Sequence, residues 1–342
     1  MLLPDLIIQI LNQHDFCYII PALLPPALLA PKINAIRINK DFHPKDVSKV
    51  IIPEKLKTEI KESKQIKKEI FKDATLEFTE LMLKSFPPYV LDNFYRNIKD
   101  IKIMDSYKQS IMGPLGVYNC EKNRIKIFDY SALFHELFHM ASSYYDKDED
   151  IVYCGFSISI NNEVIGNGIN EGYTELLTQR YLGNKHNLKK TYFFEVKVAT
   201  LLEKIVGTEQ MEEYYLMASR TNLIEDLKMY TDEKKVINFL VKLDYINSNP
   251  FISLPNEIIR KKVVDIHIFL LETYYSKLKL DIEENRITVK NALNRFDDYY
   301  YSIGDFVNVN GFSYKLELSD LYENLFNGLK EKRRIKWKRI IL

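Results

Sequence analysis

The stretch "YSALFHELFHMASS", Tyr130 to Ser143, places two of the chain's six histidines four residues apart, with a glutamate directly after the first. Positions i and i+4 of an α-helix lie about 40° apart around the axis and one turn along it, so His135 and His139 project from one side. Two imidazoles so placed can grip one metal ion. Glu136 stands beside that face, near enough to orient a water yet turned away from being an easy ligand. This is the geometry of HExxH: two nitrogen ligands, and a carboxylate that takes a proton from the activated water. Leu133, Phe134, Leu137, Phe138 and Ala141 make the rest of the helix apolar. Burying two histidines and a glutamate with no metal to satisfy them would be costly.

A catalytic zinc has three protein ligands and keeps a fourth position open. The HExxHxxGxxH arrangement is excluded, because Ser142 and Tyr145 occupy its glycine and third-histidine positions. Cys120 is the nearby upstream cysteine, but it sits in a hairpin turn without a supporting pattern. A carboxylate on a later helix remains, and "GNGINEGYTELLTQRYLG", Gly166 to Gly183, supplies it. Glu171 opens that helix and Glu175 follows at i+4 on the same face. Glu171 is therefore expected to ligate the metal, and Glu175 to accept the spare N–H of a ligating histidine and fix its tautomer. Asn170 and Thr174 are suited to bracing the helix start.

Around these segments the periodicity predicts an α+β half followed by an all-α half. "INAIRINKDF" from Ile33 to Phe42 alternates as a strand, and residues 53–73, with Leu56, Ile60, Ile66 and Ile70, read as one helix. A helix over Leu76 to Ser85 and a strand in "IKDIKIMD" follow. Leu115 to Cys120 and Arg124 to Phe128 read as a hairpin around Glu121 to Asn123. Next come an acidic loop "DKDED", an extended run "IVYCGFSISI" and a helix from Asn170 to Leu182. From His186 onward the spacing is helical. The chain thus divides into an apolar segment 1–32, an α+β domain 33–185 and a helical subdomain 186–342. His267, on an apolar helical stretch, reads as a core histidine.

With 46% hydrophobic and 28% charged residues in 342, the chain reads as soluble and globular. Forty-eight basic against 47 acidic residues give a net charge of +1, which argues against nucleic acid as a partner. The basic run "KEKRRIKWKR", Lys330 to Arg339, reads as a solvated helix face. Cys17, Cys120 and Cys154 form no CxxC pair and no disulfide framework, in keeping with a reducing, cytoplasmic setting. The N-terminus carries Asp5, His14 and Asp15 and is broken by Pro21, Pro25 and Pro26, so no stable membrane insertion is expected. The alternative is export through an atypical signal ending in the small residues near Ala30.

The pair "HELFH" and "NEGYTE" resembles the gluzincin branch of the zincin metallopeptidases, over roughly Met112 to Leu182. The compact spacing is most similar to the minimal gluzincins of bacteria. The resemblance implies a zincin-like domain, a zinc cofactor held by His135, His139 and Glu171, Glu136 as general base and proton donor, and Glu175 behind a histidine. It implies hydrolysis of a peptide or protein substrate laid along the edge of the Leu115 to Phe128 hairpin. It also implies an oxyanion-stabilising donor; Tyr153, Tyr173, Tyr181 and His186 are candidates, with Tyr153 preferred because it precedes a glycine region in an extended segment. "IMGPLGVYN" does not match the exopeptidase motif of aminopeptidase members, which favours an endopeptidase. The competing reading is a zincin-fold binding or regulatory protein that recognises a partner without cutting it.

Overall fold

Two helices stand where the spacing had suggested one. The computed structural model describes residues 53–106, 114–161, 163–183, 185–186, 188–249 and 256–340, with side chains up to residue 331; segment 1–32 and the strand expected at 33–42 lie outside the described residues. Helix α1 (Pro53–Glu62) and helix α2 (Glu69–Ser85) are separated at Ile66, which is buried and bridges in parallel to Ile103. The step of six from Ile60 to Ile66 breaks the 3.6-residue phase, so the two apolar faces cannot share one helix. Ile70 accordingly remains 52% exposed.

A short helix α3 (Asp92–Ile98) leads into strand β1 (Lys102–Asp105), then β2 (Gly116–Asn119) and β3 (Arg124–Ile127). The last two form the expected hairpin. The sheet order is β1-β3-β2, with β1 parallel and β2 antiparallel to β3, so β2 is the outer strand. Helix α4 (Leu133–Ala141) carries the two histidines, and all nine of its residues are buried. Its apolar side packs on α2, where Phe78 and Phe138 meet edge to face at 4.9 Å. Burial of each such ring or leucine contributes about 1.5–3 kcal/mol, which offsets the polar groups carried on the other side. From α3, the Asn97 amide donates to the carbonyls of Met140 and Ser143 at 2.8 Å and so satisfies the end of α4.

A four-stranded antiparallel meander follows, β4 (Ser143–Asp146), β5 (Ile151–Cys154), β6 (Ser157–Ile160) and β7 (Glu163–Ile165). It returns the chain to helix α5 (Asn167–Leu182), which begins three residues earlier than expected and bears Glu171 and Glu175. Its start is capped from a distance. Asp244 accepts from the backbone N–H groups of Gly166 at 2.8 Å and Gly168 at 2.7 Å. Gly166 has φ +84°, and a β-carbon there would lie 2.2 Å from the Phe156 carbonyl, so this entry turn requires glycine.

Beyond α5 lie α6 (Phe193–Val206), α7 (Thr208–Leu216), α8 (Arg220–Lys228), α9 (Glu233–Asn247), which carries Asp244, α10 (Glu257–Glu283), α11 (Val289–Ile303) and α12 (Ser319–Ile340). They are interrupted by a hairpin, β8 (Phe306–Val309) and β9 (Phe312–Lys315), in a stretch expected to be almost wholly helical. Its turn is Asn310-Gly311, both at positive φ, in the Asn-Gly signature of a tight hairpin. Helices α6 and α9 pack directly on α5, and the buried apolar side chains form one core running from Leu56 to Leu329. The architecture is α+β, with small sheets in a mainly helical body. Among the described residues no helix is long and apolar enough to cross a membrane.

Candidate metal centre

Helices α4 and α5 lie against each other and bring three ligand atoms into a near-equilateral triangle. His139 Nε2 is 3.0 Å from His135 Nε2, and Glu171 Oε2 is 3.2 Å from His135 Nε2 and 3.5 Å from His139 Nε2. Ligands 2.0–2.1 Å from a tetrahedral ion are about 3.3 Å apart. The three atoms lie on a circle of radius about 1.9 Å, so a point about 0.8 Å off their plane reaches all three at about 2.05 Å, within the zinc range for imidazole and carboxylate. All three residues are buried, and this trio can hold a metal ion.

The electrostatics point the same way. Burial opposes protonation of His135, yet the carboxylates of Glu171 and Glu175 overcome it and hold its pKa up to about 9. His139 is likewise raised well above the ordinary imidazole range, against burial, by Glu171 and Cys154. Burial would raise the Glu171 carboxyl, but His139 and His135 pull it far below the usual carboxylate range. The pocket is built for positive charge. A metal ion held there could supply that charge in place of protons.

Behind the triangle, the remaining hydrogen bonds fix the rings. Glu175 Oε2 lies 3.1 Å from His135 Nδ1, while its Oε1 accepts from Gln179 at 2.8 Å and from the Thr191 backbone N–H at 3.3 Å. His135 therefore presents Nε2 to the centre, as expected for Glu175. His139 Nδ1 faces Cys154 Sγ and Thr174 Oγ1, both at 3.5 Å, with the Asn170 amide at 3.4 Å. The sequence carried no sign that Cys154 would stand there. Cys120 is not part of the ligand trio.

Glu136 is 6% exposed and lines a cleft of about 710 Å³ together with His135, Gly116 and Tyr192. Burial raises its pKa, partly offset by His139, His135 and the Tyr118 backbone N–H that its carboxylate accepts. Pairing alternates along β2: Leu115, Val117 and Asn119 bond to β3, leaving Gly116 and Tyr118 with outward-facing backbone groups. One of those groups holds Glu136, and the Gly116 edge borders the cleft.

Tyr153, the preferred donor, lies on the side of its strand opposite Cys154. On β5 it alternates with Cys154, so that while Cys154 turns to His139, Tyr153 turns away and stacks on Tyr144 at 6.2 Å. The other candidates are also engaged elsewhere: Tyr173 donates to Glu203, Tyr181 to Glu212, and His186 pairs with Glu77. The tyrosine at the centre is Tyr192, whose ring stacks on His135 with centroids 5.6 Å apart. It keeps 36% of its surface along the cleft, while its hydroxyl end faces Glu171 and Glu136. Burial and those two charges hold its proton on well above the ordinary tyrosine range, so it is a donor throughout the neutral range. Tyr192 adopts φ 52°, ψ 39°, the left-handed conformation that starts α6 and aims its ring back at α4.

No protein-family model matches the chain, and no curated protein and no solved structure matches it.

Proposed function

We propose that the chain is a zinc-dependent peptidase of the gluzincin type, acting as an endopeptidase. The observation that carries this reading is the convergence of His135 Nε2, His139 Nε2 and Glu171 Oε2 at the mutual distances of three tetrahedral ligands, with Glu136 beside them on an open cleft. A zinc ion held there supplies Lewis acidity toward a peptide carbonyl and toward water. The rest of the chemistry belongs to the side chains. Glu136, positioned by the Tyr118 N–H, takes the proton of the attacking water and returns it to the departing amine. The Tyr192 hydroxyl donates to the oxygen on which negative charge develops. Glu175 keeps His135 in the tautomer that points Nε2 inward. The Gly116 edge of β2 offers backbone groups along which an extended peptide adds as a further strand.

His135 and Glu136 line the cleft, so among the described residues the side of the trio that a substrate must reach is open, which favours hydrolysis over a scaffold that only binds. The test joins metal content to hydrolysis. The purified protein is expected to hold about one zinc per chain and to cut peptides, with Glu136→Gln keeping the metal and losing the activity. A stable protein that takes up no metal overturns the reading.

A further inference from the structure

Among the cleft-lining acids, Glu195 on the first turn of α6 is the one with no partner from another residue among the described residues. Glu136 accepts from Tyr118, and Glu175 is committed to His135, Gln179 and Thr191. Lys189, the cation of the cleft lining, is ion-paired with Asp129. Glu195 is 7% exposed and its carboxylate meets only its own backbone N–H among the described residues. A buried, ionisable carboxyl that faces a cleft and is answered by no donor beyond its own N–H is costly to keep charged unless something arrives to pair with it. We infer that Glu195 forms a cationic subsite, so that the cleft selects substrates presenting an ammonium or guanidinium group.

The surroundings suit such a group. Phe193, 67% exposed, and Tyr192 offer aromatic surface in the same cleft, on which an aliphatic stem or the cation itself can lie. Burial raises the Glu195 carboxyl, its own N–H opposes that, and the charge of Glu171 adds a smaller push upward, leaving a pKa of about 7. A carboxyl in that state ionises readily once a cation is beside it.

This inference rests on the peptidase reading of the same cleft, and its test separates the two. Internally quenched peptides, blocked at both ends, carry Lys, Arg, norleucine or Glu at each position across the scissile region. A parallel set has a free N-terminal amine. The protein is expected to cleave its best Lys or Arg peptide roughly 10- to 100-fold better in kcat/KM than the norleucine match. Glu195→Gln should bring that ratio to about one, and Glu195→Asp should keep part of it. A preference confined to the free-amine set assigns the cation to the chain terminus and supports the same subsite. Equal cleavage of Lys and norleucine peptides in both sets overturns the subsite and leaves the peptidase standing. If nothing is cut, fluorescein-labelled versions are titrated against the Glu136→Gln chain by anisotropy. Tighter binding of Lys or Arg peptides that vanishes in Glu136→Gln/Glu195→Gln supports the subsite although hydrolysis has failed; equal or absent binding overturns it.

Discussion

Replacing Gly116 by alanine tests whether the position of Glu136 matters apart from its chemistry. A β-carbon at residue 116 would lie 2.8 Å from Glu136 Cγ, 2.9 Å from its Oε1 and 3.1 Å from Ala132 Cβ. Carbon atoms rest at about 3.5–4.0 Å, so the Glu136 side chain must retreat by about 1 Å. Gly116 is not among the residues at positive φ, and alanine in a strand carries no backbone penalty, so the fold and the metal trio should persist. A misplacement of about 1 Å at a catalytic group costs about 100-fold in rate, or about 2.7 kcal/mol in the barrier. The assay is steady-state cleavage of a quenched peptide, with zinc content measured on the same samples. Gly116→Ala should lower kcat about 100-fold, leave one zinc per chain and, in a Glu136→Gln background, lower it no further. A variant with kcat within a few-fold of the parent would refute the placement of Glu136 as base, and a variant that loses zinc would refute the separation of base from ligands.

Three other outcomes follow from particular contacts. Glu175→Gln, which weakens the hold on His135 Nδ1, should reduce zinc affinity about 10- to 100-fold in a chelator competition, with the fold unchanged by circular dichroism. Tyr192→Phe should lower kcat about 100-fold or more at little change in KM, whereas Tyr153→Phe should leave kcat within about twofold; the reverse pattern would restore Tyr153 as the oxyanion donor. His267, fully buried, donates through Nδ1–H to the Val263 carbonyl at 2.8 Å, and its Nε2 has no partner among the described residues. Burial, against that backbone bond and with Lys197 assisting, lowers its pKa to about 4. The folded chain therefore keeps it neutral while the unfolded chain protonates near its ordinary value, so its stability contribution is fully present above about pH 6.5 and shrinks by about 3 kcal/mol as pH falls to 4. Urea melts of the parent and His267→Leu at pH 7 and pH 4.5 should show the gap between them narrowing or reversing in favour of the variant at the lower pH.

Much of the local architecture was legible because it rests on short-range rules. The β2–β3 hairpin, the histidine helix and the glutamate helix each announce themselves by alternation or helical spacing, and their bounds were close. Two misreadings share a cause. Ile66, and Tyr314 and Lys315 of β9, were absorbed into helices on apolar spacing alone, although a six-residue step and an Asn-Gly turn, both visible in the sequence, forbade it. His267 was read as a core histidine; its burial holds, but among the described residues only one of its nitrogens finds a partner.

The site divides along the same line. His135, Glu136 and His139 sit on a single turn, and Glu171 and Glu175 on another, so the spacing of five residues could name them. Cys154 on β5, and Tyr192 and Glu195 at the start of α6, reach the centre or its cleft from outside the two motif helices, and no sequence interval relates them to the histidines. Tyr192 is placed by a left-handed backbone conformation at the start of α6, which a tyrosine does not advertise. Asp244 acts from further still, 73 residues after Glu171, yet its two hydrogen bonds fix where α5 begins and hence where Glu171 points. The helical half is thus not an appendage to a motif-bearing half. It supplies the cap of the ligand helix, the stacked tyrosine and the cleft's unpaired acid, so loss of Asp244 should loosen zinc binding even though Asp244 touches no ligand atom.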